Sequence, residues 1–499
     1  MTTKNYTFLT ILFTVVFLIK GCTTDFEEIN TNPNQSNQGP SLDLLFGAIV
    51  PGFIGQNINS YQVPGQFVQQ FAVKNSEEGA LTQDDDAISR RTWEIFYSEN
   101  GGALRNVELL KFEAENQGHQ TYKAIANILK TYMLSQLTDL FGDIPYKDAG
   151  QGFKLEDRYL FPIYDSQQEI YDTMLADLEN ANSVLANSPA TEIIDANRDL
   201  LFSGNKLAWR KFANSLRLRF LLRISEATNV SARVADIFNN STNNPVFTSI
   251  SDEPSFSYNS INNWPFDNSN PVIDEIRISE TVVEIMKGNG GVNSVSTLQD
   301  PRLSWLLSPT ANSITTGTPE FVGQPVGIAS DITESDDRSL LSDNFKNLNT
   351  FWLLTFAEVN FIKAEAAFRG IISGNATDYY KAGINASLQR YGIDVSTATS
   401  TAYINDAVVN FASNQIKHIA IQRWLDQVNN GFEGYAVWRR MNFPTLSLGP
   451  DVVATQIPTR YFYSSKTTDK NQANADAAIN RAPLNGNNTP LAKVWWDVN

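Results

Sequence analysis

Apolar residues recur along most of the chain at helical intervals. Between 166 and 187, Ile170, Met174, Leu178, Ala181 and Leu185 fall on one face. Ser166-Gln167-Gln168-Glu169 ahead of them fits a capping box, so the pattern predicts an amphipathic helix over 166–187. Leu207, Phe212, Leu216 and Phe220 make a second stripe behind Asn205, a suitable N-cap. Lys206, Arg210, Lys211, Arg217, Arg219 and Arg223 flank this stripe and are expected to pair with neighbouring acids. Helical signals dominate 41–240 and return over 351–443, with single helices predicted for 351–369 and 377–390. Between these blocks, 241–350 carries NNSTNNP, INNWPFDNSNP and GNGG. It predicts a loop-rich insertion with one helix near 278–288 and a few short strands. Residues 444–499 read as loop-like.

Local chemistry explains several boundaries. In LFGDIPY (140–146), Gly142 permits a tight or left-handed turn, Asp143 can accept from nearby amides, and Pro145 forbids helix continuation. The motif therefore reads as a helix terminator more than as a pair of catalytic acids. Ala364, Ala376, Tyr380 and Gly383 have the small-residue and aromatic spacing of a tetratricopeptide helix pair. Trp209 and Phe212 read as core.

The N-terminus reads as an address. Lys4 precedes an uncharged run of fourteen residues (6–19), short for a spanning helix and suited to a signal peptide. Ile19-Lys20-Gly21-Cys22 resembles a bacterial lipobox, with Lys20 in place of the usual small residue. Cleavage before Cys22 removes 1–21, leaves Cys22 for lipidation, and makes 22–40 a tether. The alternative is a free thiol after ordinary secretory cleavage.

Composition narrows the function. One Cys and two His (His119, His418) exclude disulfides, Cys-rich zinc sites and multi-His metal centres. A net charge of −16 argues against non-specific nucleic-acid binding; removing 1–21 takes away two lysines and no acid, giving −18. No G-x-S-x-G elbow, Walker loop or dinucleotide fingerprint is present. A pair of carboxylates for glycoside hydrolysis is not excluded among 54 acids, but nothing singles one out. No cofactor is implied. Asp84-Asp85-Asp86 has oxygen ligands for Ca²⁺ but lacks EF-hand spacing, and a solvated acidic turn is the simpler reading.

Thirty Phe, 17 Tyr, 9 Trp and about 50 Asn favour a binding role. A sugar packs its C–H face on an aromatic ring, while its hydroxyls need polar side chains. Residues 258–267 hold the richest mixture. There Trp264 and Tyr258 are the expected platforms, with Asn262, Asn263 and Asp267 as hydrogen-bonding neighbours. The alternative is that Trp264 staples its loop to the scaffold. Tyr61 and Gln62 in a Gln-rich stretch, and Trp93 beside Arg91 and Tyr97, are further candidates, although Trp93 and Tyr97 also have core spacing.

Six stretches together resemble the SusD/RagB family of Bacteroidota outer-membrane lipoproteins, in its SusD-like branch. They are LTDLFGDIPY (137–146), FPIYDSQQEIYDTMLADLENA (161–181), DLLFSGNKLAWRKFANSLRLRFLLRIS (199–225), FAEVNFIKAEAAFRG (356–370), GFEGYAVWRRMNFP (431–444) and IPTRYFYSSKTTDKNQANADAAINR (457–481). DFEEINTNPN after Cys22 resembles the acidic signal for surface export. The resemblance implies a mainly α fold over 41–499, with tetratricopeptide-like helix pairs as a scaffold and a loop-rich ligand side. It implies a lipid-anchored, outward-facing binder, not an enzyme. Such a protein passes oligosaccharides to a SusC-like TonB-dependent transporter, or, in the alternative, oligopeptides. A surface glycoside hydrolase and a protein-interaction scaffold are the remaining readings.

Overall fold

Caps and small residues decide where the helices begin and how closely they pack. The computed structural model describes residues 40–57, 63–73, 86–97, 102–261, 263–267, 273–327, 338–449, 452 and 455–498. Among these, the helices of nine or more residues are α1 (Leu42–Asn57), α2 (Asp86–Tyr97), α3 (Ala103–Asn116), α4 (Gln120–Phe141), α5 (Gln167–Asn187), α6 (Lys206–Arg223) and α7 (Ser231–Asn239). After the insertion come α8 (Phe356–Phe368), α9 (Ala376–Arg390), α10 (Ala398–Phe411), α11 (Gln415–Asp426), α12 (Gly431–Met441) and α13 (Gln472–Asn480). Leu42–Asn499 is one compact unit. The expected signal peptide, tether and Cys22 lie outside the described residues.

The capping box at Ser166 and the Asn205 cap form as the sequence predicts. α3 packs on α4, α4 on α5, and α5 on α6; α8 packs on α9 and on α11. Small residues set the α8–α9 distance. A Cβ on Gly383 would lie 2.4 Å from the Phe361 ring, so only glycine allows this approach. After α4, Gly142 takes φ +89°, Gln167 N donates to Asp143 Oδ1 at 2.8 Å, and Ile144 bridges Asp165. LFGDIPY is thus a terminator whose acid fastens the start of α5.

The basic flank of α6 turns inward. Arg219 donates to both oxygens of Glu358 (2.9 and 2.6 Å), and Arg223 to both oxygens of Glu433 (2.7 and 2.8 Å) and to Asp139. Asp139 also accepts from Tyr171 Oη (2.5 Å) and Trp496 Nε1 (2.8 Å). Arg440 and Arg369 pair with Glu365, and Arg390 with Asp426. This seam joins α4, α5, α6, α8, α9, α11, α12 and the C-terminal Trp496. Burial alone would raise the carboxyls of Glu365 and Glu433. Arg440, Arg369 and Arg423 around the first, and Arg219, Arg223 and Arg423 around the second, outweigh it and hold both at about 2.

Several boundaries differ from the sequence expectation. Residues 351–369 are not one helix: β4 (Thr350–Trp352) pairs with β2 (Ser255–Ser257), and α8 starts only at Phe356, where Thr355 Oγ1 accepts from Glu358 N at 3.0 Å. The insertion contains the expected helix at Glu280–Met286, and also three short ones at Arg302–Leu306, Ala311–Thr315 and Asp343–Lys346. The C-terminal region is not all loop, since it holds Ser465–Thr468 and α13. A second two-stranded sheet pairs β1 (Phe71–Val73) with β3 (Ile276–Ile278).

His119 caps α4 by accepting from Tyr122 N at 3.3 Å. His418 is buried, which pushes its pKa down to about 4, and its Nε2 lies 3.3 Å from Ser413 Oγ. Both are structural. No described helix is long and apolar enough to cross a membrane. No group of three or more His, Cys, Asp or Glu among the described residues could hold a metal ion. Of the acidic triplet, Asp84 and Asp85 lie outside the described residues, and Asp86 faces Lys466 at 3.8 Å.

Candidate functional site: an aromatic groove beside α2

Trp93 and Tyr97 stand one helical turn apart on α2, so their rings share a face, with centroids 4.9 Å apart. Trp93 lies nearly parallel to Tyr164 at 5.6 Å and edge-on to Phe141 at 5.2 Å. Tyr97 Oη donates to Pro145 O at 2.6 Å, which ties α2 to the terminator after α4. Burial pushes the Tyr97 phenol well above its ordinary value, so it stays a donor.

These rings form one wall of a groove of about 520 Å³, within the range of roughly 300–1,000 Å³ usual for small-ligand pockets. Gly152, Phe153, Tyr159 and Leu160 also line it. Lys154 Nζ lies 4.7 Å from the Tyr159 ring centre and the Arg158 guanidinium 4.3 Å, so the ring carries cations on its π system. Thr467, Lys470 and Asn471 line it too, and Asn471 Nδ2 donates to Pro162 O at 2.7 Å. Arg105 and Lys470 are exposed at the groove. No carboxylate lines it among the described residues. The groove offers aromatic faces, phenols, amides and cations, and lacks the acid pair that glycoside hydrolysis requires.

Trp264 is placed elsewhere and is only 3% exposed. Its ring sits among Tyr258 (5.1 Å), Phe266 (5.3 Å) and Phe345 (6.3 Å), and its Nε1 donates to Phe345 O at 3.2 Å. Tyr258 is buried too, against Phe256 at 5.2 Å. The platform expectation for these two rings is therefore corrected: both are packing residues, and Trp264 staples its loop through Phe345. Of their polar neighbours, Asn263 is exposed and Asp267 half-buried, with Asp267 N donating to Trp264 O at 3.2 Å. Asn262, Tyr61 and Gln62 lie outside the described residues. Among the described candidates, Trp93 borders the groove together with Tyr97, and is mostly buried in its wall.

The groove residues that the sequence did not single out are Tyr159, Tyr164, Phe153, Lys470 and Asn471. A usable signal existed for three of them. The run GFKLEDRYLFPIY (152–164) holds four aromatics with no helical period, and Leu155, Leu160, Phe161 and Ile163 are all largely exposed.

The family described as "Starch-binding associating with outer membrane" matches residues 33–464. Among solved structures, a chitin-binding protein is 26% identical, with a TM-score of 0.77 over 92% of this chain and 100% of its own. A SusD homologue from Bacteroides fragilis is 25% identical, with a TM-score of 0.73 over 92% and 99%. A chitin-binding SusD homologue from Flavobacterium johnsoniae, 22% identical with a TM-score of 0.72 over 91% and 99%, shares the fold. No curated protein matches the chain.

Proposed function

The chain belongs to the SusD-like family, and from that premise we propose that it captures oligosaccharides at the cell surface and passes them to a SusC-like TonB-dependent transporter. The family is described as starch-binding and associated with the outer membrane, and two relatives above are described as chitin-binding. Their described role is binding, not catalysis. In this reading Cys22 carries the lipid anchor and the mature chain faces outward. The observation that supports capture most directly is the groove of Trp93, Tyr97, Tyr159 and Tyr164, with polar groups on its rim and no carboxylate in its wall. A sugar ring in the groove meets the half-buried rings of Tyr97 and Phe153, with Lys470 and Asn471 within the same groove for its hydroxyls.

The test is an array of malto- and chito-oligosaccharides and oligopeptides on the purified chain, followed by calorimetry. Saturable glycan binding that weakens in Phe153→Ala supports the proposal. Binding of peptides alone would move the ligand to the oligopeptide class, and release of reducing ends would revive a hydrolase. Co-purification of a transporter barrel from outer membranes tests the partner.

A further inference from the structure

A second cavity, of about 430 Å³, opens between helices of the scaffold and shares no residue with the groove. α6 contributes Lys211, α7 Phe238, α8 Lys363 and α9 Tyr379, while Thr248 and Ser373 come from the connecting turns. No Asp or Glu lines it, although the chain as a whole carries −16.

The two lysines differ in their partners. Lys211 Nζ is 2.7 Å from Asp252 Oδ1 and 3.3 Å from Thr248 Oγ1, so its charge is already answered. Lys363 is half-buried and pairs with no carboxylate among the described residues. Its ammonium lies 5.8 Å from the centre of the Phe238 ring. Burial pushes its pKa below the ordinary lysine value, with no acid to raise it again. A cation that has shed water and gained only a distant π face keeps most of its hydrogen-bonding capacity for whatever enters the cavity. Arg219 and Arg223, farther along α6, show the contrast: there Glu358 of α8 and Glu433 of α12 supply the carboxylates.

We propose that this cavity is a binding site for a small oxyanion-bearing molecule, a carboxylate or a phosphate or sulfate ester on a compact polar body such as an acidic sugar. Lys363 is the principal cation. Lys211, shared with Asp252, is the secondary one; the Thr248 hydroxyl donates to Asp252 at 2.9 Å, and Ser373 lines the same space. Phe238 and Tyr379 give the body of the ligand ring faces to lie against. The site stands on residues separate from the groove, so it holds or fails independently of the capture reading.

The experiment titrates the full chain, its lysines carrying ¹³C-methyl labels, with glucuronate, glucose 6-phosphate, inorganic phosphate, inorganic sulfate and neutral glucose. NMR and calorimetry follow binding. One lysine resonance, absent from Lys363→Met, is expected to shift saturably with the anions and not with glucose, and its pKa to rise when they bind. Lys363→Met should bind roughly tenfold or more weakly, the loss of a charge-assisted hydrogen bond, while Lys211→Met loses less. Lys363→Gln, with thermal unfolding of every variant, separates lost binding from lost fold. Inorganic ions binding as tightly as glucuronate would support the site and assign it to free anions; tighter binding of the sugar acids would assign it to the sugar-borne group. Absence of any saturable shift, equal affinity in Lys363→Met, or equal affinity for glucose would overturn the proposal.

Discussion

The buried seam and the aromatic groove use the same residue types to opposite ends. In the seam, arginines and rings are enclosed together, and the guanidinium of Arg439 lies 4.0 Å from the Tyr435 ring centre and 4.7 Å from that of Trp496. Carboxylates from other helices meet the neighbouring arginines there. In the groove, Lys154 and Arg158 sit over Tyr159, and no carboxylate lines the wall. The difference teaches that neither aromatic nor cationic content marks a ligand site in this molecule. What marks it is whether the chain has supplied the partners. Where buried arginines meet carboxylates from other helices, the residues hold helices together. In the groove Arg158 pairs only with an exposed acid, Glu156 (3.2 Å), Lys154 donates to Gln151, and Arg105 and Lys470 stand exposed, so the surface is left with capacity for something else.

Breaking the seam should have the largest effect. Glu433→Ala removes the carboxylate that meets Arg223 (2.7 Å), Arg219 and Arg423 (both 3.6 Å), leaving Glu358 to serve the last two. A loss of about 3–5 kcal/mol in urea unfolding is expected, as for other buried pairs cut on one side. A loss under about 1 kcal/mol would show that the seam is not what holds the scaffold. Trp264→Ala should follow, costing about 3 kcal/mol by emptying the site among Tyr258, Phe266 and Phe345. Its glycan affinity, measured on the folded fraction, should stay near wild type. Unchanged stability with lost affinity would return Trp264 to the ligand.

Phe153→Ala, at a half-buried ring of the groove wall, should do the reverse. It is expected to weaken oligosaccharide binding about tenfold, or ~1.4 kcal/mol, while changing stability by less than about 1 kcal/mol. Calorimetry and thermal unfolding of one preparation decide it.

The smallest effect sharpens the comparison from inside the seam. Glu253 accepts from Phe356 N at 2.7 Å, and burial raises its pKa to about 7 against the opposing pull of Arg390. A carboxyl raised on folding adds stability that is fully present below its unfolded value of about 4.5. That stability is lost as pH rises through 7. Glu253→Gln should therefore match wild type near pH 4.5 and exceed it by on the order of 1 kcal/mol at pH 7.5. Parallel stability curves for the two proteins across that window would sink the assignment.

What was legible in the sequence was local. Ser166 with Glu169, and Asn205 ahead of its stripe, specify helix starts because the cap and the capped amides lie within three residues. Gly142 and Pro145 end α4 for the same reason. The pairing of the α6 flank with acids was also legible, and it holds for Lys211, Arg217, Arg219 and Arg223, while Lys206 and Arg210 donate to amide and carbonyl oxygens instead. The start of α8 was not, because Phe351 is drawn into a strand by Phe256, which lies far away in sequence. Trp264 was misread on similar grounds: its partner Phe345 is 81 residues distant, and nothing near Trp264 reveals it. The groove gathers α2, the 152–164 run and the 467–471 turn, and no one of these stretches carries a binding pattern alone.

The pairing of β1 with β3 has a consequence for the order of assembly. Ser279 N donates to Gln70 O, Ser279 Oγ to Gln69 O, and Gln70 Nε2 to Trp424 O at 2.7 Å, a contact spanning 354 positions. A chain emerging from its N-terminus has made residues 69–73 long before any of these partners exists. Closing loops of that length is slow, because the entropy is lost before the contact repays it. The early helices can pair with sequence neighbours as they appear, but the stretch around Phe71 must stay open until most of the polypeptide has been delivered. Its closure is a late event, one that registers the arrival of the C-terminal helices.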